Sequence, residues 1–215
     1  MITGPILNSI CPTISPARAA SIADRIDFCS SAYKFNTNDS LQEFIAQVAA
    51  ESDEFRVMSE SMNYRTPSLL MANWPNHFPS IDFAKQYCGN PEKLANYIYG
   101  STSIAKDLGN IKSEDGYAFI GSGFLQLTGR DSATQYQKYV GMDSPEHVMQ
   151  LLRTDDYWAT DAACWEFAVN KKLIPLTLKN TAEAFVTITR RINGGTIGLS
   201  RRQMYLKRAM QFLPQ

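Results

Sequence analysis

The sequence predicts a mainly α single domain with a small irregular lobe. Three observations carry this reading. Capping residues followed by proline recur as helix starts, apolar residues between them return every three or four positions, and a glycine-rich stretch at 101–130 interrupts the pattern.

Ser15-Pro16 opens the first helix, and Ile22, Ile26, Cys29 and Tyr33 follow at spacings of four, three and four, one helix face over roughly 16–34. A second helix begins after Asn38-Asp39 and carries Leu41, Phe44, Ile45, Val48 and Ala49, the stripe of a core-facing helix. Further starts read from Thr66-Pro67, Asn90-Pro91 and Ser144-Pro145, with Gly100 and Gly141 as stops. Helical patterning continues at 154–170, 180–192 and 200–212. Between them lie Gly109, Gly116, Gly121, Gly123 and Gly129 among aromatic and apolar residues, which suits loops or a short hairpin. No repeat, low-complexity tract or linker-like stretch divides the chain, so one domain over 1–215 is expected, with the smaller lobe inserted at about 60–120.

Composition bounds the function. Of 215 residues, 44% are apolar and 20% charged, with 21 basic against 21 acidic side chains, which excludes disorder and a general polyanion-binding surface, nucleic acid included. The longest apolar runs fall short of the roughly 18 to 20 residues of a membrane span, and Met1 to Pro16 lacks the basic start and apolar stretch of a secretory signal. Cys11, Cys29, Cys88 and Cys164 are scattered without CxxC spacing and read as buried thiols. With only His77 and His147 and no HExxH-like helix, neither a metal nor another cofactor is expected.

Glu51 lies three residues after Val48 and seven after Phe44, so on a persisting helix it continues the apolar stripe. Desolvation there disfavours the charged carboxylate, which suits a general acid. The bland alternative is a helix that frays at Ala50 and leaves Glu51 solvated. Glu60 follows nine residues later, which on one continuous helix would put it on the opposite face, about 13.5 Å along the axis. Ser52-Asp53 is turn-favouring, however, and lets the chain leave the helix and bring Glu60 back across a groove. Asp53 and Glu54 compete with Glu60 for the second role, and spacing alone does not choose among them.

Glu51-Ser52-Asp53-Glu54-Phe55, Glu60, Asn63-Tyr64, the segment Gly121-Ser-Gly-Phe-Leu-Gln-Leu-Thr-Gly-Arg130 and Ile192-Asn-Gly-Gly195 together resemble the family 19 glycoside hydrolases. In length and order the sequence resembles the bacteriophage endolysins within that family, over roughly residues 36–210. The resemblance implies a lysozyme-like, two-lobed single domain with a cleft between lobes, and no separate wall-binding domain. It implies Glu51 as general acid, Glu60 as general base and Thr128 as the hydroxyl that helps hold the attacking water. Gln126 and Asn193 resemble groove residues that bind sugar hydroxyls and amides, with Asn63 and Tyr64 lining the groove, and Arg201 resembles an arginine supporting the acidic pair. The chain departs from the family pattern where a common histidine before the first glutamate is Ala50. It departs again where basic residues flanking the GxG glycines are Ile120 and Ser122, and where an expected asparagine after Thr128 is Ser132.

The implied chemistry is inverting hydrolysis of β-1,4 glycosidic bonds, which needs the two carboxylates about 6.5 to 9.5 Å apart. The implied substrate is the aminosugar strand of bacterial peptidoglycan; chitin shares the linkage and the N-acetyl group. Tyr64, Trp74 and Tyr117 are candidate stacking platforms for sugar rings or, equally for Trp74, packing residues of the small lobe. From Ala184 onward Arg190, Arg191, Arg201, Arg202, Lys207 and Arg208 meet no acidic residue, a pattern for weak contact with anionic wall polymer or membrane, or else for cationic helix faces in solvent. By the resemblance, the chain is a monomer made in a host cytoplasm and released to the wall by a separate membrane-permeabilising protein; a secretion-system effector would look the same.

Other classes fit less well. A zinc amidase lacks nitrogen ligands, and a Cys-His peptidase lacks a local signature. A noncatalytic sugar-binding module would typically lose a carboxylate. Gly121-Ser-Gly123 is not the GxSxG elbow, and no βαβ unit supports dinucleotide binding.

Overall fold

A computed structural model describes residues 2–213; Met1, Pro214 and Gln215, the ends of the expected 1–215 span, lie outside the described residues. The chain is built from short helices: α1 (Gly4–Ile10), α2 (Pro16–Ala32), α3 (Asn38–Glu51), α4 (Pro67–Asn73), α5 (Ile81–Lys85), α6 (Pro91–Ser101) and α7 (Ser103–Asp107). They continue with α8 (Asp115–Ala118), α9 (Arg130–Val140), α10 (Pro145–Thr154), α11 (Asp156–Trp165), α12 (Ile174–Thr177), α13 (Ala182–Asn193) and α14 (Leu199–Phe212). α11 runs on into a π-helical turn, Glu166–Asn170. Among the described residues no helix is long and apolar enough to cross a membrane.

The proline starts are used as expected. The Ser15 side chain accepts from the Arg18 N–H and that of Asn90 from the Lys93 N–H, each ahead of a proline in the first turn. The second helix begins one cap earlier than its Asn-Asp pair suggests, because the Thr37 hydroxyl accepts from the Ser40 N–H at 3.2 Å. Gly141 ends α9 in the left-handed region at φ 71°. α6 ends at Ser101, one residue past Gly100, and an added Cβ at that glycine would sit 2.0 Å from the Ser113 carbonyl oxygen, so the glycine also serves close backbone approach. The 101–130 stretch forms α7, α8 and loops. Pairing there is limited, among the described residues, to the isolated bridges Ser59 to Ser122 and Ser122 to Leu127.

The chain divides into two compact units. The first comprises Met1–Met58, Gly123–Gln126 and Leu151–Gln215; the second comprises Ser59–Ser122 and Leu127–Gln150. In the first, α3 packs against α14, and α2 against both α1 and α11. The rings of Phe35, Phe44 and Phe167 meet there with centroids 5.0 to 5.8 Å apart. In the second, Met62, Leu70, Phe78, Leu94, Ile98 and Ile120 form the buried core, and α6 packs against α8.

Loops of the second unit are tied by one buried charge. Asp115 accepts from the N–H groups of Ile111 (2.9 Å) and Lys112 (3.1 Å) and takes a two-pronged contact from Arg130, 2.8 Å from Nε and 2.5 Å from Nη2. The Arg130 hydrogen bond, working against the cost of burial, holds the Asp115 carboxyl down to about 2.

Candidate active site

In the first unit α3 carries Glu51 as its last residue. The helix stops there because Ser52 turns the backbone: its hydroxyl donates to the Val48 carbonyl at 2.7 Å and accepts from the Phe55 N–H at 2.8 Å. Asp53, Glu54 and Phe55 then follow in the left-handed region at φ 51°, 60° and 59°. Three such residues in succession are strained unless their side chains are held. Here each is held. Phe55 is buried edge-on to Phe124 at 5.2 Å, and the Glu54 and Asp53 carboxylates are both bound.

Glu54 accepts from the Thr13 N–H (2.8 Å), the Thr13 hydroxyl (2.6 Å) and the Tyr205 hydroxyl (2.9 Å), with Arg208 at 3.8 Å. Burial alone would raise its pKa, but these donors outweigh it and hold the carboxyl below its ordinary value. Asp53 is bound by Arg201 and Arg56; the Arg201 hydrogen bond is the main cause of its lowered pKa. Both competitors for the second catalytic role are therefore occupied as structural anions.

Glu51 pairs with a different arginine. Nη2 of Arg202 donates to Glu51 Oε1, Nη1 donates to Gln47 Oε1 at 2.7 Å, and Gln47 Nε2 donates to the Thr189 hydroxyl at 3.0 Å. Arg202 is 3% exposed, whereas the Glu51 side chain retains 22% of its surface. Glu51 thus ends a buried polar chain, with Oε1 fixed from behind. Arg201, the arginine expected to support the acidic pair, reaches Asp53 and the Tyr205 hydroxyl (3.3 Å) instead. Burial separates the two arginines: Arg202, Tyr205 and Ala209 share one buried stripe of α14, and Arg201 stands beside it.

In the second unit Glu60 is fastened to the glycine segment. Its N–H donates to the Gly121 carbonyl at 2.8 Å, the Gly121 N–H donates back to Oε2 at 3.2 Å, and the Tyr99 hydroxyl donates to Oε1 at 2.8 Å. Burial first, and then the Glu60 charge, push the pKa of both Tyr99 and Tyr64 above the ordinary tyrosine value. Among the described residues Glu60 has no ion-pair partner, so neutral donors orient its carboxylate without cancelling its charge. Ser122 bridges to Ser59 on one side and Leu127 on the other, which sets Glu60 and Thr128 one residue beyond its two partners.

The remaining candidates belong to both units. Tyr64 packs edge-on against Trp74, ring centroids 5.1 Å apart, beside the core of the second unit. Asn63 is exposed and Tyr117 is 38% exposed. Gln126, at φ 51°, donates to the Gly123 carbonyl at 2.8 Å. Asn193 closes α13 and donates to the Ile197 carbonyl at 3.4 Å. Of the six basic residues toward the C-terminus, Arg201, Arg202 and Arg208 are committed to Asp53, Glu51 and Glu54.

Tyr99 was not singled out by sequence reasoning; one residue past the buried Ile98 of α6, it carries no local signal tying it to position 60. Among the described residues no cluster of three or more His, Cys, Asp or Glu could hold a metal ion. The cysteines are free, and burial pushes the Cys11 and Cys164 thiols well above their ordinary value, away from nucleophilic thiolates.

No family model matches the chain. A curated relative from Haemophilus influenzae, a glycosyl hydrolase family 19 domain-containing protein, is 35% identical over 162 residues, covering 74% of this chain and 72% of its own. The fold is also similar to a crystal structure of a chitinase C mutant. The TM-score is 0.58 over 99% of this chain and 76% of that one, at 13% identity.

Proposed function

Since this chain belongs to glycoside hydrolase family 19 and is a glycosidase, we propose that it is an endolysin-type enzyme cutting β-1,4 bonds of bacterial peptidoglycan by acid/base hydrolysis with inversion. The observation that carries the assignment of roles is the unequal treatment of the four carboxylates between residues 51 and 60 of the chain. Asp53 and Glu54 are consumed by cations and buried donors, whereas Glu51 is fixed through one oxygen and Glu60 is oriented by neutral donors.

In this mechanism Glu51 delivers a proton to the glycosidic oxygen through Oε2, while Oε1 stays on Arg202. Glu60 removes a proton from a water molecule that attacks the anomeric carbon on the opposite face. Its uncompensated charge suits it to that task, and Thr128, fixed beside Leu127, helps hold the water. The attacking water needs the two carboxylates about 6.5 to 9.5 Å apart. Asn63, Tyr64, Gln126 and Asn193 are proposed to contact the sugars, and Arg201 to act through Asp53 on the turn behind Glu51. The endolysin branch and the peptidoglycan substrate rest on the motif resemblance. The kinship with a chitinase fold favours chitin as the second substrate.

Replacing Glu51 by Gln keeps the shape and deletes the proton. The variant is expected to release reducing ends from purified peptidoglycan at least ~100-fold more slowly than wild type. Wild-type clearing by this variant would end the assignment. Mass spectrometry of the released ends, with chitin oligosaccharides in parallel, identifies the bond cut.

A further inference from the structure

Apart from these carboxylates, α2 and α11 line a pocket of about 310 Å³ formed by Ser21, Asp24, Arg25, Phe28 and Tyr157. The Arg25 guanidinium lies over both rings, 3.4 Å from the centroid of Tyr157 and 4.7 Å from that of Phe28. Arg25 is 7% exposed, yet Phe28 is 67% and Tyr157 45% exposed, so a buried cation underlies two aromatic side chains open to solvent.

Three properties narrow what could bind there. The Arg25 charge is already answered by the buried Asp161, which also accepts from the Tyr33 hydroxyl at 2.8 Å, and Asp24 adds a further carboxylate to the lining. An anion would therefore meet more negative than uncompensated positive charge. Second, Arg25 Nε is buried without a hydrogen-bond partner, as are only Glu43 Oε2 and Arg202 Nε among the described residues. So deeply covered a donor is out of a ligand's reach, and hydrogen bonding at the rim falls to the exposed Asp24. Third, the exposed ring faces offer the apolar stacking surface that the C–H face of a sugar requires.

We propose that this pocket is an accessory subsite for an N-acetylated sugar of the polymer, built from residues that take no part in bond cleavage. The proposal rests on the glycan-cleaving reading. The acetamido group fits this lining: its N–H donates to Asp24, and its methyl group and sugar ring lie against Phe28 and Tyr157. Engagement of a second sugar on the same strand or a neighbouring one raises the local concentration of polymer at the enzyme without altering the chemical step.

Phe28→Ala and Asp24→Ala test this, because both side chains are exposed and their loss leaves the fold intact. In a Glu51→Gln background, cosedimentation with insoluble chitin and with purified peptidoglycan is expected to weaken roughly fivefold for each. In the active background, kcat on a soluble N-acetylglucosamine tetramer stays at the parent value. Titration of the Glu51→Gln protein with the N-acetylglucosamine dimer, followed by amide NMR, is expected to shift resonances of residues 21–28 and 157, and Phe28→Ala abolishes those shifts. Parent-like polymer binding by both variants, with no shifts at 21–28, overturns the subsite while leaving the glycosidase reading standing. A wild-type protein that neither binds nor cuts either polymer removes the substrate reading and the subsite with it. A fall in sedimentation coefficient on Phe28→Ala identifies a self-association contact and also overturns the subsite.

Discussion

The Tyr99 hydroxyl donates to Glu60 Oε1 at 2.8 Å, joining α6 to the segment that follows the left-handed turn. It is a bond between residues 39 positions apart, and it fixes the direction of the carboxylate proposed as base. Tyr99→Phe keeps the ring and deletes the donor. The expected result is a fall in kcat of about tenfold with little change in KM, and a stability loss of about 1 kcal/mol by chemical denaturation. A parent-like kcat would show that the bond only packs the second unit.

Arg201 and Arg202 separate in their consequences. Arg202→Ala strips a buried guanidinium from Gln47 and Glu51 and is expected to cost about 2–3 kcal/mol and nearly all activity. Arg201→Ala removes an ion pair with Asp53 that is open to solvent, and the expected cost is below about 1 kcal/mol. Melting temperatures and turnover of the two variants side by side check the assignment. Equal damage from both would contradict it.

Glu43 gives a pH dependence of definite sign. Burial, and secondarily the Asp39 charge, raise its pKa from the ordinary 4.5 to about 8. Below about 4.5 both folded and unfolded forms hold the proton and nothing is lost. Between about 4.5 and 8 only the unfolded chain ionises, so stability falls as pH rises, and above about 8 the loss is complete. Glu43→Gln removes this slope. Its melting temperature should match wild type near pH 4 and exceed it by several degrees near pH 8.5, a gain of about 1–3 kcal/mol.

Asp115 acts in the opposite direction. Its carboxyl is held down to about 2 by Arg130, so the pair's contribution is present above the ordinary value of 3.8 and lost as pH falls through about 2. Asp115→Asn is expected to lower stability at pH 7 by about 2 kcal/mol. The difference from wild type should shrink steadily below about pH 4, as read from urea denaturation at successive pH values.

The departures from sequence-based expectation have a common form. Gly100 reads as a helix stop because glycine is a poor helix former. In the fold α6 ends one residue later, and the glycine itself is required because the backbone at Ser113 comes too close for any Cβ, a contact between residues 13 apart. The motif position points to Arg201, which holds Asp53, and the buried stripe of α14 adds Arg202, one residue on, which holds Glu51. Tyr99 was invisible because its partner lies in a segment with no local connection to it.

What the sequence determined by itself was local: the proline-capped helix starts, the mainly α class, the turn after Ser52 and the family to which Glu51 and the Gly121–Arg130 segment point. Periodicity and capping act within a few residues and are therefore readable in the string. Tertiary structure decided which of the four carboxylates between residues 51 and 60 are neutralised, which arginine holds Glu51 and which tyrosine holds Glu60. Those outcomes depend on burial and on hydrogen bonds between distant segments, and only folding brings such groups within 3 Å of one another.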